Sequence, residues 1–159
     1  MTNTASGWNS NGVRAALLAN GHSLTLGRSA AGKLAFMHYD DTLGLVNSTD
    51  QLDGDIYDSD NYDLSADNSG NAIALWRDGA NVFIRHYKTA TGWVDVAQSL
   101  STTAKNNTTL KTVLAANEQL SLAWVDNTSN GDVVRVHHAV AGTAQDSCLL
   151  YTSPSPRDS

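Results

Sequence analysis

The sequence predicts an all-β chain assembled from repeated four-stranded antiparallel units. Three observations carry that expectation. A cassette recurs: Gly70 precedes Asn71-Ala72-Ile73-Ala74-Leu75-Trp76, Glu118 precedes Gln119-Leu120-Ser121-Leu122-Ala123-Trp124, and Gly32 precedes Lys33-Leu34-Ala35-Phe36-Met37-His38. A second landmark, Ser6-Gly7-Trp8 and Thr91-Gly92-Trp93, keeps step with it, since Trp8 to His38 is 30 residues and Trp93 to Trp124 is 31. Landmarks that keep one spacing indicate a repeat architecture. Helical periodicity is weak throughout, and Glu118 is the only Glu among the acidic residues. Asp suits turns better than helix interiors.

Upstream, Trp8 to Leu18 reads as the outer strand of a preceding unit, although Val13 to Ala19 is the one stretch with some helical pattern before Asn20-Gly21 ends it. His22 to Ser29, Leu34 to Tyr39 and Leu43 to Val46 follow as short strands. The clearest copy of the unit spans Tyr62 to Ser101. There, Tyr62 to Asp67 alternates and Asn68-Ser69-Gly70 turns, since Asn and Gly tolerate positive φ. Ala72 to Trp76 is a short apolar run closed by Arg77-Asp78-Gly79, and Asp-Gly is a strong hairpin signal. Val82 to Tyr87 is β-branched and aromatic, which fits a pleated half-buried surface. After Thr89-Ala90-Thr91-Gly92 the stretch Trp93-Val94-Asp95-Val96 alternates with period two. In the next copy Leu110 to Ala116, Gln119 to Val125 and Val133 to Val140 are strands. Asn127 to Asp132 is a long turn between the last two, and a fourth strand is expected near Gly142.

Four short strands joined by turns and recurring every 40 to 50 residues are what a β-propeller blade requires. The expected fold is therefore a propeller fragment of about three blades, near 9–60, 61–103 and 104–147. A β-sandwich is the alternative. The Gly-Asn-Ala-Ile-Ala-Leu-Trp block followed by a Gly-Trp block resembles repeats of large secreted or cell-surface bacterial proteins, which are propeller-like. That resemblance covers roughly residues 6–145. It implies an extracellular or cell-surface location and a non-catalytic binding or scaffold role, with a glycan or another protein as ligand and the missing blades of the same chain as partners. The competing expectation is part of a glycoside-processing enzyme whose active site lies largely in missing blades. Ser65-Ala66-Asp67-Asn68-Ser69-Gly70 is similar in outline to a sialidase Asp-box, but Gly70 comes three residues after Asp67 and Trp76 six further on. That departure leaves no sialidase function to carry over.

The last residues stand apart. Cys148 to Asp158 is similar to the translation of a sequencing-library adaptor, so residues 148–159 are expected to be a non-native tail, and the fold is sought in residues 1–147. The only cysteine and both prolines fall in that tail. Without them no disulfide or thiolate metal site is available to the rest. The net charge is −6 with no Lys/Arg cluster, which argues against nucleic acid as a partner. No apolar run approaches the length of a membrane span, and no basic-then-apolar leader follows Met1.

Candidate site residues are few. Trp76, Trp124 and His38 occupy matching places in the cassette, as a ring of ligand-stacking groups or as packing between units. Residues 50–67 hold seven aspartates, and Asp58, Asp60 and Asp63 alternate so as to offer oxygens on one side of a loop, as calcium requires. The Gly and distal Glu of an EF-hand are missing, and a solvated acidic connector is the competing reading. No other cofactor is expected. His86 aligns with His137 when Val82–His86 is laid on Val133–His137, with His138 adjacent. Neighbours on a strand face opposite ways, so His137 and His138 do not readily share an ion. No nucleophile elbow, P-loop, dinucleotide fingerprint or His-Glu-x-x-His is present.

Overall fold

A computed structural model describes residues 12–18, 21–49, 52, 61–94, 96–106, 108–140 and 147–149. They form three separate antiparallel meanders, each in sequence order, and none of the sheets closes on itself. The first sheet is β1 (Arg14–Leu17), β2 (Ser23–Arg28), β3 (Leu34–Asp40) and β4 (Gly44–Thr49). The second is β5 (Tyr62–Ala66), β6 (Asn71–Asp78) and β7 (Asn81–Lys88), with the far edge of β7 shared by β8 (Gly92–Trp93) and β9 (Gln98–Ser101). The third is β10 (Lys111–Leu114), β11 (Gln119–Thr128), β12 (Gly131–Val140) and β13 (Ser147–Leu149). The all-β expectation holds. No described helix is long and apolar enough to cross a membrane.

The first hairpin of each sheet is closed by the same backbone hydrogen bond. Leu18 donates to His22 O at 2.7 Å, Asp67 to Asn71 O at 2.9 Å and Ala115 to Gln119 O at 2.8 Å. Among the described residues each turn has one with positive φ: Gly21 at 81°, Gly70 at 86° and Glu118 at 62°. At Gly70 the requirement is steric as well, because a Cβ there would lie 2.9 Å from the Thr89 hydroxyl.

These three turns set the true frame of the repeat, and it corrects the cassette alignment. Three residues beyond each positive-φ residue stand Leu24, Ile73 and Ser121, and their cross-strand partners are His38, His86 and His138. His38 therefore sits on the third strand of its sheet and matches His86 and His138, not Trp76 and Trp124. The tryptophans share a place on the second strand that in the first sheet belongs to Gly27. Gly32 misled the alignment because it too has positive φ, at 82°, but it closes the β2–β3 hairpin. The same register pairs His137 with Leu122, so His137 matches Arg85, and His86 matches His138 instead.

Other expectations change in detail. Residues 14–17 are the first strand of the first sheet rather than the outer strand of a preceding unit, because the Gly21 turn sends the chain straight back along them. Trp8 lies outside the described residues. The strand expected at 93–96 stops after Trp93 and pairing with β7 resumes at Gln98. The long turn expected at 127–132 is a tight hairpin with Ser129-Asn130 at its tip, since Thr128 pairs with Gly131. The fourth strand of the third sheet begins at Ser147 and carries the pairing into residues 148 and 149.

Side-chain alternation gives every sheet two faces. In the second sheet Ala72, Ala74 and Trp76 pack on Leu24, Leu26 and Phe36 of the first. Ile73, Leu75 and Ile84, on the opposite face, pack on Leu120, Leu122 and Trp124 of the third. We call the side toward the preceding sheet the rear face and the other the forward face. Each junction joins a forward face to a rear face, and the second sheet is buried on both. The first strands also lie near one another, β5 beside both β1 and β10.

Candidate functional site

The densest group of titratable side chains spans the junction of the first two sheets. His22 stands just before β2, diagonally across from His38 and opposite Asp40 in the extended β2–β3 register. The positions 22, 38 and 40 share the forward face, so their side chains meet. His22 Nε2 is 3.0 Å from Asp40 Oδ2, His22 Nδ1 is 2.8 Å from His38 Nε2, and His38 Nδ1 is 2.7 Å from the Tyr87 hydroxyl of the second sheet. The imidazoles stack with centroids 5.0 Å apart, and His38 meets the Tyr87 ring edge-on at 5.6 Å.

The protons in this chain follow from donor and acceptor chemistry. Asp40 is held below the ordinary carboxylate range by the Leu43 and Thr42 amides, which donate to Oδ1 at 2.9 and 2.7 Å, and further by the two histidines, against the opposing effect of burial. An ionised carboxylate only accepts, so His22 Nε2 carries the proton. His22 Nδ1 then accepts from His38 Nε2–H, and His38 Nδ1 accepts from the Tyr87 phenol. All four groups are satisfied with both imidazoles neutral. Burial, then the proximity of His22, lowers the pKa of His38, while Asp40 pulls the other way. Burial raises that of Tyr87. An added proton would reverse the chain and force the buried phenol to act as acceptor.

The relay runs from a semi-open end to a closed one. The His22 and Asp40 side chains are 20% and 12% exposed, whereas Tyr87 is 2% exposed. The phenol is closed to solvent, and its bond to His38 ties the two sheets together. Of the relay's members only His38 was singled out by sequence. His22, Asp40 and Tyr87 were missed because strand register, not sequence proximity, brings them together. The repeated pairs His38-Tyr39 and His86-Tyr87 were the available signal.

A second polar knot joins the second and third sheets. Asp126, 3% exposed, accepts from Ser101 Oγ at 2.7 Å, Trp124 Nε1 at 2.9 Å and Arg135 Nε at 2.7 Å. Burial alone would raise its pKa, but the bonds from Ser101, Arg135 and Trp124 and the charge of Arg135 outweigh that and hold it low. Trp124 is thus fixed at both ends, its rings in the apolar layer and its N–H on a carboxylate. Trp76 is fully buried in the other layer, stacked on Phe83 with centroids 5.7 Å apart, and its N–H has no acceptor among the described residues. Neither indole is open to a ligand unless the sheets part.

Asp63 lies on the first strand of the second sheet. One oxygen accepts from Thr112 N–H at 2.8 Å, and the other is 3.7 Å from Arg14 Nε. Two residues on, Ser65 Oγ accepts from Leu114 N–H at 2.8 Å. Side chains of β5 thereby satisfy backbone donors on the edge strand β10, while Asp63 reaches back to β1. Asp58 and Asp60, its expected partners around calcium, lie outside the described residues. Among the described residues no three His, Cys, Asp or Glu groups are placed to hold a metal ion. His138 is exposed and bonds Ser121 Oγ through Nδ1 at 2.8 Å.

No protein-family model matches the chain, and no curated protein matches it.

Proposed function

We propose that the chain is a non-catalytic scaffold and binding segment of a β-propeller-like array, of the kind found in secreted or cell-surface bacterial proteins, with a glycan or another protein as its ligand. The observation that carries the reading is the repeated forward-to-rear junction. A two-layer sandwich gives each sheet one buried face, whereas the second sheet here has two. Repeating one junction curls a row of four-stranded sheets toward a ring. The groups best suited to acid–base work support the same reading. Asp40, Asp63 and Asp126 all bind neighbouring strands or sheets, and the indoles pack between sheets.

The test is a glycan array run beside a panel of generic glycosidase substrates on the purified protein. Saturable binding without turnover is expected. Turnover that tracks the protein through purification would overturn the non-catalytic reading in favour of a glycoside-processing enzyme.

A further inference from the structure

Arg77 carries a charge that no described residue neutralises. It stands next to last on β6, on the forward face, and is 5% exposed. Its Nε donates to Asn61 Oδ1 at 3.3 Å, and its Nη1 donates to Gly79 O at 2.6 Å and to Asn106 Oδ1 at 3.1 Å. All three acceptors are neutral. Arg14 has Asp63 at 3.7 Å and Arg135 has Asp126 at 2.7 Å, but among the described residues no carboxylate lies within ion-pair reach of Arg77. Its Nη2 has no acceptor among them either.

The side chain beside it is short of an acceptor too. Asn61 is 1% exposed, and its backbone carbonyl takes the Arg77 amide at 2.8 Å, so the two residues face each other where the β5–β6 pairing extends past Tyr62. With Oδ1 committed to Arg77 Nε, the amide has only Nδ2 left. That nitrogen is buried and has no hydrogen-bond partner among the described residues. Two neighbouring buried groups thus hold unused donors around one cation. An unpaired buried charge is costly, and a buried donor without an acceptor adds to the cost. Water would satisfy the donors and leave the charge, whereas an anion answers both.

We infer that Arg77 Nη2 and Asn61 Nδ2 bind a small monovalent anion of the halide class, with chloride as the physiological ion, on the forward face of the second sheet. The guanidinium excludes larger ligands. A bidentate phosphate or carboxylate needs two nitrogens along one edge, and protein oxygens already occupy Nε on one edge and Nη1 on the other. A monatomic ion needs only Nη2. Because Arg77 also bonds Asn106 and the Gly79 turn, the ion would stiffen a brace between the second sheet and the loop that leads into the third.

Melting temperature in chloride and in gluconate at equal ionic strength, measured on the wild type and N61D, tests this. Gluconate is too bulky for the place. N61D sets a carboxylate oxygen against Nη2 in the ion's stead, so it should melt higher than the wild type in gluconate and show no specific response to chloride. The wild type should gain about 3–6 °C over N61D's response at about ten times the dissociation constant, and the gain should saturate. Effects of the salts common to both proteins cancel in that difference. R77Q should lose the gain as well, and if it fails to fold, N61D still decides. Equal responses in the wild type and N61D overturn the inference, since the donors then hold water or the ion binds elsewhere. The propeller reading does not depend on the result.

Discussion

Replacing Tyr87 with Phe removes one oxygen from the junction of the first two sheets and leaves the ring in place. The phenol lies 2.7 Å from His38 Nδ1, and both residues are nearly inaccessible, at 2% and 3% exposure. In Y87F the ring nitrogen loses its donor with no water to replace it. An orphaned buried acceptor costs about 1–3 kcal/mol. For a domain of this length that corresponds to a fall in Tm of roughly 3–9 °C. Urea denaturation at pH 8 measures it directly, with the midpoint expected to drop at unchanged slope. A change below about 0.5 kcal/mol, the usual scatter of surface substitutions, would refute the claim that this bond holds the sheets together.

Other outcomes follow from the same geometry. Stability should decline as pH falls below about 6.5, the ordinary histidine value: the folded pKa of His38 is lowered, so the unfolded chain binds the proton first, with a slope of at most about 1.4 kcal/mol per pH unit for one proton. A further loss should begin as pH falls into the ordinary carboxylate range, where the unfolded chain takes up protons that Asp40 and Asp126, both held low in the folded state, still resist. A flat melting profile between neutrality and mild acid would contradict the His38 assignment. Asp126→Ala leaves the Trp124 N–H and Arg135 without their acceptor and should destabilise by about 3 kcal/mol in the same urea assay. Glu118→Gly should stabilise by up to about 1 kcal/mol, because a non-glycine residue at φ 62° carries left-handed strain that exceeds the entropy glycine adds to the unfolded chain. With Asp63 already bound to Thr112 and Arg14, added calcium should leave Tm unchanged within about 1 °C. A larger rise would establish a site in the acidic connector.

Most of the strands were legible in the sequence because their signals are local. Turn residues at Asn68-Ser69-Gly70 and Asp78-Gly79 bracket an apolar run, and the alternation at 62–67 and 82–87 fixes which side chains share a face. The frame of the repeat was not legible from the same signals. A positive-φ glycine before an apolar run marks a tight hairpin, but it does not say whether that hairpin is the first or second of its sheet. Gly32 and Gly70 look alike for that reason. The His-Tyr pairs at 38–39 and 86–87 would have set the frame, since they recur at one place on the third strand. The relay was harder to see. His22 and Asp40 meet through register, and Tyr87 joins them only because the sheets stack. The fate of the tryptophans followed from ordinary physics: two large apolar side chains at one repeated place solve one repeated packing problem.

The account stands most directly on the middle position of the second sheet. Isotope-edited NOE spectroscopy on the purified protein reads it. The methyl groups of Ala72 and Ala74 should show contacts to Leu24 and Leu26, and those of Ile73 and Leu75 to Leu120 and Leu122. Contacts from both sets to one and the same sheet, or from only one set to any sheet, would describe a two-layer sandwich and contradict the repeated junction.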